Sequence, residues 1–143
     1  MQDRPTREEL LEAAQHFLEN QVVPALEGRS KFHARVAANV LAIVGRELAT
    51  EARDLAQEWR RLDAVLGPAA MPLEIAALKR ALCERTETLC ERIRRGDADA
   101  GQFRRQVVDH VRQTVLEKLA ATNPRLFEQE SGAGSSPALE KWD

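Results

Sequence analysis

The chain has 143 residues and a net charge of −2, with 43% hydrophobic and 31% charged residues. This length suits one ordinary domain with its own core, and this composition is typical of a water-soluble globular protein. The near-neutral charge provides no general attraction to nucleic acids or anionic lipids. The sequence also contains no apolar run long enough for a membrane span and no signal core. We therefore expect neither nucleic acid nor a membrane as a partner.

The aromatic content is low, with no Tyr, two Trp and four Phe. A core built mainly from Leu, Val, Ile and Ala suits helices better than sheets, because sheets favour aromatic and β-branched residues. The sequence predicts an all-α fold, a four-helix bundle-like domain with a long second helix. We expect one helical domain over residues 1–127 and a flexible, linker-like tail over 128–143.

The first two helices have clear boundaries in the sequence. A capping box at Thr6 opens the first, which Pro24 or Gly28 should end. The second begins near Ser30 and contains no Pro before Gly67-Pro68, so it is expected to run to Leu66, with Gly45 as its one weak point. The centre of its apolar stripe rotates by roughly 70–80° between its two halves at about 100° per residue. The second helix is therefore predicted to have a different set of neighbours along each half.

Two further helices follow. The third is predicted from Pro72 to Arg95, and the fourth from Asp97 or Asp99 to the stop at Asn123-Pro124. Their lengths suit packing along the second half of the long helix, whereas the short first helix covers only the first half. The last two helices and that second half can bury their apolar stripes together as a three-helix unit.

The start of the second helix carries unusual charges for its position. Helix N-termini favour acids, but this one collects cations and a histidine over residues 29–35. Free N–H groups and cations together favour phosphate or carboxylate. The candidate anion-binding residues are Arg29, Lys31, Arg35 and Asn39. Alternatively, the cations are solvated or pair with Glu19 and Glu27.

Three polar residues interrupt apolar stripes and are candidates for buried polar groups: His33, Glu47 and Arg85. Such groups need a partner or a shifted pKa. For His33 and Glu47 a structural network, a contact with a partner protein and a general acid–base pair are all open. A general acid–base pair is the weakest of these interpretations, because His33 and Glu47 are separated by about 21 Å along a helix. If the third helix packs antiparallel to the second half of the second helix, Arg85 lies nearest Asp54, which predicts an ion pair between them.

The sequence lacks the motifs that disulfide, metal-binding and catalytic sites require. Cys83 and Cys90 lie seven residues apart on one predicted helix, about 10 Å, which is too far for a disulfide. Reduced thiols favour a cytoplasmic location. There is no paired Glu-x-x-His motif for a di-iron bundle, no Gly-rich phosphate loop and no nucleophile elbow. We therefore assign no catalytic residue, no metal and no cofactor.

Several segments together resemble an uncharacterised bacterial domain family of unknown function. They are PALEGR at 24–29, FHARVAANVLAIV at 32–44 and REL at 46–48, with RPT at 4–6 and ELL at 9–11. Members of that family are small helical proteins, often encoded beside acyl-CoA dehydrogenase-like proteins and phosphotransferases of the aminoglycoside/choline kinase type. The resemblance implies an accessory role near acyl-CoA or phosphotransfer chemistry and assigns no catalytic residue.

The first helix and the first half of the second carry more apolar side chains than two helices can hide from each other. Two such hairpins meeting as an intermolecular four-helix bundle would bury them, which predicts a homodimer. Alternatively, a break at Gly45 folds the hairpin back and gives a compact monomer. The expected function is that of a non-catalytic helical interaction or accessory protein, which self-associates or supports a partner enzyme. The alternative is a protein that binds a small anion or an acyl-CoA or phosphate group, with or without enzymatic activity.

Overall fold

The computed structural model describes residues 4–126, and this part of the chain is mainly helical and contains no β-strand. The all-α prediction is confirmed. The elements in chain order are α1 (Arg7–Phe17), a π-helical segment (Leu18–Val22), α2 (Val23–Ala25), α3 (Gly28–Leu66), α4 (Ile75–Arg94) and α5 (Gly101–Thr122). The predicted tail, 128–143, lies outside the described residues.

The predicted capping box forms at the start of α1. The Thr6 hydroxyl accepts a hydrogen bond from the Glu9 backbone N–H at 3.2 Å, and the Glu9 carboxylate accepts one from the Thr6 N–H at 2.8 Å. Two N–H groups that the first turn leaves without an intrahelical partner are thereby satisfied. The helical path continues through the π-helical segment to Ala25, one residue past Pro24, and ends where Leu26 adopts an extended backbone.

The long helix α3 contains 39 residues and passes Gly45 without interruption. The break that the compact-monomer alternative required is therefore absent. The chain divides within α3 into two compact parts, which we call unit 1 (up to Glu51) and unit 2 (from Ala52). This division agrees with the change in stripe direction between the two halves of the helix.

Unit 2 contains a core to which all three of its long helical segments contribute. Leu62 of α3 is fully buried, and it lies in one cluster with other large side chains that are at most 8% exposed. The members of this cluster are Trp59, Leu62 and Val65 of α3, Leu78, Leu82 and Leu89 of α4, and Val107 of α5. Both later helices begin after the predicted residues, α4 at Ile75 and α5 at Gly101.

A polar clasp holds the start of the loop that joins α3 to α4. The Arg85 guanidinium donates to the Asp63 carboxylate at 2.6 Å and to the Gly67 carbonyl at 2.7 Å. It also lies over the Trp59 ring, 4.5 Å from the ring centroid. Asp63 accepts from the Ala69 N–H at 3.2 Å, and the Trp59 indole N–H donates to the Ala69 carbonyl at 3.4 Å. The clasp therefore satisfies loop backbone groups that a helix end leaves without partners.

The partner of Arg85 differs from the one that hairpin register suggested. The ion pair between α3 and α4 is present, but it joins Arg85 to Asp63, whereas Asp54 contacts the neighbouring Arg53 at 3.0 Å. The later start of α4 accounts for part of the shift, because it moves every residue of α4 along α3. The loop path, which no local pattern specifies, determines the rest.

We expect Arg85→Met to lower the free energy of unfolding of unit 2 by about 2–4 kcal/mol, because it leaves the Asp63 carboxylate without its cation and removes a charge-assisted bond to Gly67. Arg80→Met is the matched control, since Arg80 is exposed on the same helix. Urea unfolding followed by circular dichroism measures both variants. Equal stability of the two variants would contradict a stabilising role for the clasp.

Candidate functional site

The predicted anion-binding residues lie on the first turns of α3. The side chains of Arg29, Arg35 and Asn39 are exposed and that of Lys31 is half-buried. The first turn of the helix contains no acid. Among residues 4–126, none of these three cations forms an ion pair, so the alternative pairing with Glu19 and Glu27 is not formed. The three cations thus have no acidic partner within the described residues.

The three candidates for buried polar groups differ in their surroundings. Arg85 is largely buried, with 13% of its side chain exposed. His33 and Glu47 are exposed in the single chain. The His33 Nε2 atom accepts a hydrogen bond from the Arg29 Nε–H at 3.1 Å, and its ring contacts that of Phe32 edge-on. The side chains of His33 and Glu47 are therefore not buried polar groups within this chain.

Unit 1 exposes large apolar side chains and buries small ones. On α3, Ala34 and Ala38 are 9% and 2% exposed, whereas Phe32, Val36 and Val40 are 63%, 44% and 50% exposed. Two positions along a helix correspond to about 200°, so the large side chains lie on nearly the opposite side of α3 from the alanines. On α1, Leu10 and Phe17 are likewise more than half exposed. We call these five exposed residues the apolar stripe of unit 1.

The two helical stretches that carry this apolar stripe have opposite charge. Residues 7–25 contain four Glu and one Arg, a net charge of −3 with His neutral. Residues 28–46 contain four cations and no acid, a net charge of +4. Two stretches of opposite charge that both carry exposed apolar side chains are suited to a partner with the reverse arrangement.

A pocket in unit 2 has no counterpart in the sequence analysis. It is an open cavity of about 380 Å³ lined by residues of α3 and α5, namely Arg61, Ala64, Val65, Gln106, Asp109, His110 and Gln113. His110 is only 6% exposed and is the one polar residue among the buried residues of the described chain. In the sequence, the sign that His110 is buried is its position three residues after Val107, which places both residues on the same side of α5.

An ion pair lies beside the pocket. Both terminal nitrogens of the Arg61 guanidinium donate to the Glu117 carboxylate, at 2.7 and 2.6 Å, and the Gln113 amide donates to the same carboxylate at 3.3 Å. Less than a fifth of either charged side chain is exposed. Two nitrogens nearby are buried without a partner in the described chain, Nε of Arg61 and Nδ1 of His110. Such orphaned groups are rare in folded proteins and have a cause, commonly a water or a ligand.

The environment of His110 favours its neutral form. Burial is the main cause of its lowered pKa, the positive charge of Arg61 lowers the pKa further, and the negative charge of Glu117 opposes the shift. A histidine whose folded-state pKa lies below its unfolded value binds fewer protons in the folded state. The folded protein therefore loses stability as the pH falls below about 6.5, the ordinary pKa of histidine.

We expect the free energy of unfolding to decrease between about pH 7 and pH 5, and the His110→Gln variant to show a smaller decrease because its amide does not titrate. Urea unfolding across this range measures the slope. His16→Gln, which removes an exposed histidine, should keep the wild-type slope. The same slope in all three proteins would contradict the proposed cause.

Residues 4–126 contain neither a cluster suited to a metal ion nor a helix suited to span a membrane. No group of three or more His, Cys, Asp or Glu side chains is placed to hold a metal ion in this part of the chain. No helix of the described region has the length and apolar character needed to cross a membrane.

Residues 24–126 match the family described as a domain of unknown function, DUF6285. This match includes all of α3, α4 and α5, and therefore both the cationic start of α3 and the pocket of unit 2. Comparisons with curated proteins and with solved structures found no match. The resemblance to a family of unknown function is confirmed, and the chain belongs to the DUF6285 family.

Proposed function

We propose that the protein is a non-catalytic helical interaction protein whose unit 1 binds a second copy of the same chain. The observation that supports this proposal is the apolar stripe of unit 1, in which five large side chains are each 44–63% exposed. Fully burying one side chain of this kind contributes roughly 1.5–3 kcal/mol. A second copy with the same stripe can remove all five from water.

Charge favours a second copy over an unrelated partner. The acidic stretch at residues 7–25 and the basic stretch at residues 28–46 are complementary to each other. In a two-fold dimer, the acidic stretch of one copy lies against the basic stretch of its partner, and symmetry forms the contact twice. Four helical stretches then surround a shared apolar centre, as in a four-helix bundle. Exposed His33 and Glu47 gain neighbours in this arrangement.

We expect the wild-type protein to sediment as a dimer at micromolar concentration and Val40→Glu to sediment as a monomer, because the substitution places a charge within the apolar stripe. Analytical ultracentrifugation measures both masses. Val108→Glu is the matched control: Val108 of α5 is 52% exposed and Val40 is 50% exposed, but Val108 lies in unit 2. Its mass should equal that of the wild type. A monomeric wild-type protein refutes the dimer.

The cations of α3 favour a second candidate function, the binding of a small anion such as a phosphate or the phosphate groups of an acyl-CoA. Its supporting observation is that Arg29, Lys31 and Arg35 have no ion-pair partner within residues 4–126. Lys31 and Arg35 are four residues apart and share one side of α3, which Asn39 continues. Positions with this spacing can contact one extended anion together.

We expect coenzyme A to raise the melting temperature of the wild-type protein and to raise that of the Lys31→Ala/Arg35→Ala double variant less, because ligand binding to the folded state adds stability by mass action. Inorganic phosphate tests whether the phosphate groups suffice. The matched control is Arg104→Ala/Arg105→Ala, which removes two exposed cations of unit 2. Equal shifts for the two double variants would argue against a site on α3.

The dimer and the anion site are separable by these measurements, because one reports mass and the other reports ligand-dependent stability. Support of a partner enzyme of acyl-CoA or phosphotransferase type is the alternative to self-association, with the apolar stripe as the contact surface in place of a second copy. A cytoplasmic location is supported by Cys83 and Cys90, which are both free thiols.

A further inference from the structure

Several side-chain nitrogens that line the pocket of unit 2 donate to acceptors within the protein, whereas Nε of Arg61 is buried without a partner in the described chain. The Gln106 amide nitrogen donates to the Ala64 carbonyl and the Gln113 amide nitrogen donates to the Glu117 carboxylate, each at 3.3 Å. Both terminal nitrogens of Arg61 donate to Glu117. Because each amide contacts an acceptor, its NH₂ group has to be the end in contact, and its oxygen is left for other partners.

The side-chain hydrogen-bond acceptors that line the pocket have no partner within the described part of the chain. Over residues 4–126, the amide oxygens of Gln106 and Gln113 and the carboxylate of Asp109 accept no hydrogen bond from the protein. His110 lines the same pocket with an unpartnered buried Nδ1 atom, in a side chain that is 94% buried. A neutral imidazole has one nitrogen that accepts a hydrogen bond, so His110 adds a fourth potential acceptor.

Two charged residues line the pocket, and they differ in their contacts: Arg61 is paired with Glu117, and Asp109 forms no ion pair within residues 4–126. The bidentate contact with Glu117 occupies Arg61, the one cation that lines the pocket, so Arg61 is not the counter-charge of the Asp109 carboxylate. A ligand that complements this surface carries a positive charge and several N–H donors. The cavity of about 380 Å³ lies within the range of about 300–1,000 Å³ that small-molecule sites occupy.

We propose that the pocket between α3 and α5 is a binding site for a small organic amine, held as its ammonium ion by Asp109 and by the oxygens of Gln106 and Gln113, with His110 at the inner wall. The inference is independent of self-association, because every lining residue belongs to unit 2. It is independent of the anion site for the same reason.

Titration of the full chain with putrescine, a flexible primary diamine, tests this site. The readout is the imidazole ¹⁵N resonances, recorded above pH 7 so that His110 is neutral. The chain has three histidines, and His16 and His33 are exposed residues of unit 1, which makes them internal controls. We expect putrescine to shift the His110 resonances in a saturable way and to leave those of His16 and His33 unchanged. No shift at about 10 mM putrescine overturns the proposal.

Variants and competing ions identify the chemistry. Asp109→Asn should weaken putrescine binding by about tenfold or more, because it removes a charge-assisted contact. Glu87→Gln, which removes an exposed acid of α4 outside the pocket, should leave binding unchanged. Succinate has the wrong charge, and tetramethylammonium has the charge without N–H donors, so both should bind more weakly than putrescine. Equal binding of either ion, or equal affinity of the two variants, overturns the proposal.

The wild-type protein provides a test that requires no variant. If Asp109 holds an ammonium ion at an open pocket, putrescine binding should weaken as NaCl is raised, because salt screens partly exposed charges. Affinity that is independent of NaCl overturns the assignment of Asp109. Acidification should also weaken binding, since a protonated His110 adds a positive charge beside Arg61 and opposes the contribution of Asp109 and Glu117.

Discussion

The rest of the structure depends on one constraint: the direction in which each side chain of α3 points around the helix axis. An unbroken helix of 39 residues allows no residue to turn independently of its neighbours. In unit 1, burial of Ala34 and Ala38 therefore forces Phe32, Val36 and Val40 to the other side of the helix. A hairpin that is stable by itself would bury its large side chains and expose its small ones, and unit 1 does the reverse. This reversal is the physical basis for the proposal that unit 1 binds a second copy of the chain.

In unit 2, by contrast, α3 buries its large side chains. Its part of α3 directs Trp59, Leu62 and Val65 into a core shared with α4 and α5, so the large side chains are inside. Polar groups then occupy the margins of this core as pairs: Arg85 with Asp63, and Arg61 with Glu117. Charges in such positions are tolerated because each has its counter-charge within hydrogen-bond distance.

The two units therefore differ in what they can recognise. Unit 1 presents apolar side chains on two stretches of opposite charge, which suits a protein surface with the same features. Unit 2 presents a concave pocket with free acceptors and an orphaned imidazole nitrogen, which suits a small polar molecule. Membership of a family of unknown function restricts neither assignment, and both rest on the chemistry of the described residues.

The sequence by itself determined the helical fold, the capping box at Thr6 and the two directions of the stripe on α3, because these depend on local spacing and hydrogen bonding. It also indicated the excess of apolar side chains in unit 1. Only the tertiary structure decided which acid pairs with Arg85, because the path of a loop sets register and no periodicity encodes it. The pocket was likewise hidden in the sequence. Arg61 and His110 are far apart along the chain, and only the packing of α5 against α3 brings them to one cavity and removes the imidazole from water.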